Sequence, residues 1–76
     1  MIRERIVTDL ALASYLSTVG HKLHSMRPSQ KRLAFIFGDS DALGKDILAY
    51  YNRTAQVDPL TFAEILRNLK ALVLRN

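Results

Sequence analysis

Apolar residues recur along the chain with two different spacings, and the switches between them mark its elements. Residues 2–7 (IRERIV) alternate between apolar and charged up to Val7, the pattern of a short edge strand with one apolar and one charged face. After Thr8 or Asp9 as a cap, Leu12, Tyr15, Leu16 and Val19 follow at helical spacing, and Gly20 stands where a helix C-terminus takes positive φ. A second helix is predicted behind Asp39 or Ser40, with Leu43, Ile47, Tyr50 and Tyr51 as its stripe and Asp41 in its first turn. Asp58 and Pro59 open a third, an N-cap followed by a proline, whose Phe62, Ile65, Leu66, Leu69, Leu72 and Val73 run almost to the end of the chain.

Between the first two helices the period is two. Residues 21–27 alternate and 33–37 (LAFIF) are apolar throughout. The intervening RPSQ sets Pro28 at a position suited to a turn. The pair reads as a β-hairpin whose second arm is a central strand. Residues 55–57 (AQV) suit either a short extra strand or a plain connection. The predicted order is β-α-β-β-α-(β)-α, an α+β domain spanning residues 1–76. It has three helices packed on a small three- or four-stranded sheet that contains the hairpin.

Length and composition narrow the class. A chain of 76 residues forms one domain and buries only about 60–65% of its unfolded surface, so a deep substrate cavity is not expected. Hydrophobic residues at 49% and charged ones at 24% argue for a folded core rather than disorder. With no cysteine there is neither a disulfide framework nor a thiolate metal site, which points to a reducing, cytoplasmic location. The opening MIRERIVTDL has no continuous apolar stretch of a signal peptide, and no window is long enough to span a membrane, so no membrane partner is expected.

Charge adds the one functional clue. Residues 20–32 (GHKLHSMRPSQKR) contain Lys22, Arg27, Lys31 and Arg32 with His21 and His24, and no acid. Those four account for the whole formal charge of +4, because the remaining seven Lys and Arg match seven carboxylates. Strand alternation sets His21, Leu23, Ser25 and Arg27 on one face and Lys22, His24 and Met26 on the other. Leu23 then joins Leu33, Phe35 and Phe37 in the core, Lys22, His24 and Met26 lie near Ala34 and Ile36, and Arg27, Lys31 and Arg32 gather round the turn. A projecting basic hairpin suits nucleic-acid phosphates, and Lys22, His24, Arg27, Lys31 and Arg32 are the candidate contacts. Four cations release at most about four counterions, a salt slope near −3.6 on duplex DNA, so affinity is modest unless the protein oligomerises. The alternative is a protein-interaction module that docks the same patch on an acidic partner, with apolar help from Met26 or Ile36.

Other chemistry is poorly supplied. His21 and His24 form HxxH, but residues three apart on a strand face opposite ways and cannot share an ion. Two of Asp39, Asp41 and Asp46 are explained by helix capping. The serines lack a base and acid arrangement, and no Cys–His pair exists, so the chain reads as non-enzymatic, without metal or other cofactor. The last helix carries more apolar positions than one stripe needs, with Leu60, Ala71 and Leu74 beyond the six above, and this predicts a monomer–dimer equilibrium.

The succession VTDLALASYLSTVGHKL, RLAFIFGDSD, AYYNRTAQVDPLTFAEILRNLKAL resembles a family of short bacterial and phage proteins known only as a domain of unknown function. The likeness runs over nearly the whole chain. It lies in caps, turns and core positions, so it implies the fold and carries no activity, ligand or catalytic residue.

Overall fold

The computed structural model describes residues 3–30 and 32–75. Six elements follow one another: β1 (Glu4–Val7), α1 (Leu10–Thr18), β2 (Leu23–Ser29), β3 (Arg32–Gly38), α2 (Asp41–Tyr51) and α3 (Pro59–Arg75). The strands form one antiparallel sheet in the order β1-β3-β2, so the apolar strand is central, as its composition predicts, and the other two are edges. Residues 55–57 carry no strand; Ala55 and Val57 instead tuck against the core from the connection between α2 and α3.

Each helix is delimited by the chemistry of its ends. Asp9, not Thr8, caps α1, its carboxylate accepting from the N–H groups of Ala11 at 2.9 Å and Leu12 at 3.2 Å. At the other end Gly20 takes φ +102°, and the N–H groups of Gly20 and His21 donate to the carbonyls of Ser17 at 3.2 Å and Leu16 at 3.0 Å, the two bonds of a Schellman closure. Ser40, not Asp39, caps α2, accepting from the Leu43 N–H at 3.0 Å. That helix ends in the same closure, Arg53 donating to Tyr50 at 3.2 Å and Thr54 to Ala49 at 3.0 Å, but the left-handed position at φ +61° is held by Arg53 rather than a glycine. Asp58 opens α3, its carboxylate accepting from both the N–H of Thr61 at 2.8 Å and its hydroxyl at 2.7 Å.

The core lies between one face of the sheet and the helices. Val7, Leu33, Phe35 and Phe37 point inward from the strands to meet Leu12, Tyr15 and Leu16 of α1, Leu43 of α2 and Leu69 of α3. Burial of each large apolar side chain contributes about 1.5–3 kcal/mol. In a molecule measuring 34 × 32 × 18 Å these few residues are the main source of cohesion. The short third dimension admits one layer of helices on one sheet, which leaves the far side of the sheet as outer surface.

Two expectations about the strands are corrected. In β1 it is Val7 that is buried, while Ile6 is 58% exposed on the outer face, because four residues of strand alternate and Val7 pairs with core-facing Phe35. Ile2, the other half of the predicted apolar face, lies outside the described residues. In the hairpin, Pro28 is not in the turn: it pairs with Leu33 inside β2. An edge strand tolerates proline, since the missing N–H would have pointed away from the sheet. The turn falls two residues later, with Ser29 and Arg32 paired and Gln30 at φ +57°, the left-handed conformation that tight hairpin turns require.

Candidate functional site

The outer face of the sheet is fixed by the pairing register. Ala34 and Ile36 of β3 alternate with the core-facing Leu33, Phe35 and Phe37, so they point outward with Arg32 and Gly38 at either end of the strand. Arg27 stands opposite Ala34, Ser25 and Ile6 flank Ile36, and Glu4 stands opposite Gly38. Although they face outward, Ala34 is 3% exposed and Ile36 is fully buried, covered by their neighbours on this face.

A β-bulge decides which hairpin residues reach that face. Leu23 pairs with Phe37 and Ser25 with Ile36, so three residues of β2 oppose two of β3, and the extra residue is His24. Past the bulge the alternation is shifted by one position. Met26, expected on the outer face, therefore packs against the core opposite Phe35, and Ser25 and Arg27 face outward. His24 also stays outward, its ring lying over Gly38: a Cβ on that glycine would fall 2.8 Å from the imidazole Cε1. Only a glycine leaves room for the ring there.

Arg27 is not among residues crowding a turn. It sits in the middle of β2, and its Nη2 donates to Glu4 Oε1 of β1 at 3.2 Å. Since β3 lies between those strands, the ion pair spans the sheet and passes the position of Ile36. The two side chains are 54% and 47% exposed, so solvent screens the pair and its contribution to stability is at most about 1 kcal/mol. Arg32 is exposed at the base of the turn and Lys22 is exposed just ahead of β2; among the described residues neither makes an ion pair. Lys31, the remaining candidate, lies outside the described residues.

The two histidines are separated in role as well as in direction. His21 precedes β2 instead of belonging to it, and its Nε2 lies 2.6 Å from Asp46 Oδ2 of α2, tying the entrance of the hairpin to that helix. Asp39, in turn, pairs with Arg5 at 3.4 Å. Among the described residues no three His, Asp or Glu side chains come together as a metal-binding group.

On the helix side the notable polar groups are tyrosines. Tyr15 and Tyr50 approach with ring centroids 5.7 Å apart, and Tyr51 meets Tyr50 edge-on at 5.3 Å. Burial pushes the Tyr15 phenol above its ordinary range, helped by the negative charge of Asp46; burial does the same to Tyr50, with Asp9 and then Tyr51 adding to it. The three rings pack against one another within the helical layer, Tyr15 on Tyr50 tilted and Tyr50 on Tyr51 edge-on.

The surplus apolar positions on α3, Leu60, Ala71 and Leu74, are all exposed. Among the described residues no helix is long and apolar enough to cross a membrane.

Reading the sequence alone missed Glu4 and Gly38 as members of the outer face. Glu4 is separated from Arg27 by 23 positions and becomes its neighbour only through the β1-β3-β2 order. Gly38 carried a visible signal as the residue closing the apolar strand, but its use as a seat for His24 depends on the bulge.

The architecture is that of a small α+β domain, three helices and a three-stranded antiparallel sheet in the order β1-β3-β2. The chain matches, over residues 3–75, the family described as a domain of unknown function (DUF5659), and it belongs to that family. No curated protein and no solved structure matches it.

Proposed function

We propose that this protein is a non-enzymatic binding domain that contacts nucleic-acid phosphates through the outer face of its sheet and the basic hairpin that extends it. The observation that carries this reading is the convergence of His24, Arg27 and Arg32 on one face, where Glu4 is the single carboxylate among the described residues. A β-ribbon presenting cations along one side can follow a phosphate backbone, and such contacts fix position without reading sequence. Among the described residues the face offers no Phe, Tyr or Trp, so a stacking platform for bases is not part of the reading. Affinity is electrostatic and modest: with between two and four cations engaged, the salt slope on duplex DNA falls between about −1.8 and −3.6.

The experiment is fluorescence anisotropy of short labelled duplex and single-stranded DNA and RNA, titrated with wild type and with a variant carrying Lys22, Arg27, Lys31 and Arg32 changed to Gln. Micromolar binding near 150 mM salt that disappears in the variant is the expected result. Absence of binding by folded wild type overturns the proposal.

A second reading, docking on an acidic protein partner, draws on Ile6. Met26 and Ile36 are withdrawn from it, one by packing in the core and the other by being covered, but Ile6 is exposed beside Arg27 and Pro28 along a shallow groove over Ala34. It predicts that Ile6→Ser abolishes binding as fully as loss of charge, whereas phosphate contact leaves that substitution nearly silent.

A further inference from the structure

We propose, building on the phosphate-contact reading above, that Glu4 is a built-in competitor for Arg27, which makes the outer face respond to a run of phosphates and not to an isolated one. The chain has seven carboxylates, and the other six sit on helices, at helix caps or beside Arg5. Among the described residues only Glu4 brings a carboxylate to the candidate interface, and it reaches across the central strand to the arginine midway along the hairpin arm.

The form of the contact argues against a structural role. It is a single bond of 3.2 Å between two side chains that are each about half exposed, not the paired, desolvated geometry that holds elements together. The His21–Asp46 pair shows the contrast, at 2.6 Å with His21 only 18% exposed. A loose surface pair opens readily, but while closed it removes one cation from the face. A phosphate reaching Arg27 must displace Glu4 and then remain beside the freed carboxylate, which repels it. A lone phosphate gains only the Arg27 contact in exchange. A polyanion already held by Arg32 on the same face makes the displacement effectively intramolecular, so the exchange becomes favourable for it.

The test is a titration of a short labelled duplex at several salt concentrations with wild type, E4Q, R27Q, the E4Q/R27Q double variant and E64Q, whose substitution on α3 removes the same charge away from the sheet. Circular dichroism first establishes that each is folded. E4Q is expected to bind about two- to fivefold more tightly than wild type, with a salt slope steeper by about 0.9, one further phosphate neutralised. E64Q is expected to stay near wild type, and the gain from E4Q to vanish when Arg27 is absent. An E4Q protein that binds no better than wild type, or a gain that persists without Arg27 or is matched by E64Q, overturns the competitor role while leaving phosphate contact standing. If neither wild type nor E4Q binds even at low salt, the phosphate-contact reading itself falls, and this inference with it.

Discussion

The imidazole of His24 occupies the space that a side chain on Gly38 would need, 2.8 Å from where its Cβ would stand. Because the obstructing atom is the tip of an exposed side chain, Gly38→Ala is expected to displace the ring instead of unfolding the sheet. The signature is a change in the His24 imidazole resonances together with non-additive stability. Gly38→Ala destabilises the wild type but is neutral or stabilising by about 0.4–1 kcal/mol once His24 is alanine, since alanine then only restricts the unfolded chain. Identical effects of Gly38→Ala in both backgrounds, measured by urea denaturation, would show that the two residues are not coupled.

Arg53 holds a left-handed conformation in which its Cβ crowds the backbone. Replacing it with glycine keeps the two closing hydrogen bonds of α2 and relieves about 1–2 kcal/mol of that crowding, less the greater freedom glycine has when unfolded. The net expectation is a gain of about 0.5–1 kcal/mol. For a domain of this size that raises Tm by roughly 2–8 °C. A melting temperature at or below that of wild type contradicts the reading of α2's end.

Leu16 is fully buried at the meeting of α1 with the sheet. Its replacement by alanine is expected to cost about 2–5 kcal/mol through lost transfer energy and the cavity left behind. Small domains hold only about 0.05–0.15 kcal/mol per residue in total, so a large unfolded population at 37 °C is the predicted readout by circular dichroism. Leu74→Ala, at a site 77% exposed, serves as the contrast and is expected within about 0.5 kcal/mol of wild type.

Stability should fall at both ends of the pH scale for identifiable reasons. Asp58 is held below the ordinary carboxylate range by the hydroxyl and then the N–H of Thr61. A depressed folded-state pKa contributes stability that is fully present above the ordinary, unfolded value of 3.8 and is lost as pH falls through the lower folded one. Thr61→Val removes the larger of the two causes, so its acid unfolding midpoint is expected at higher pH than that of wild type. For Tyr15 and Tyr50 the folded values lie above the ordinary 10.0 because the phenols are buried. The unfolded chain therefore loses those protons first, and stability declines as pH rises past that value. Spectrophotometric titration at the phenolate band, compared with denaturation midpoints at the same pH, checks both.

How far the sequence could be read depended on the range of the interactions involved. The cap of α3 was legible outright and those of α1 and α2 to within one residue, Thr8 or Asp9 and Asp39 or Ser40, because Asp9, Ser40 and Asp58 act on N–H groups two or three residues away. The central position of β3 followed from its unbroken apolar run. The bulge at His24 was not legible, since nothing in LHSMR marks an extra residue, and one missed residue reversed the faces assigned to Met26 and Arg27. Pro28 was placed in the turn because proline suits turns and edge strands alike, and only the pairing with Leu33 decides between them. The Arg27–Glu4 contact depends on strand order, which a pattern of spacing does not encode.

The placement of Pro28 bears on how copies of this chain can meet. A sheet grows by offering unpaired N–H and C=O groups along an edge, and β2 interrupts that row with a proline and a bulge. The opposite edge, β1, has neither interruption and is only four residues long. Crowded or partly unfolded molecules therefore have one short template for joining strand to strand, and growth from it ends at the neighbour's proline-bearing side. The basic arm is the side on which fibril-like propagation stops.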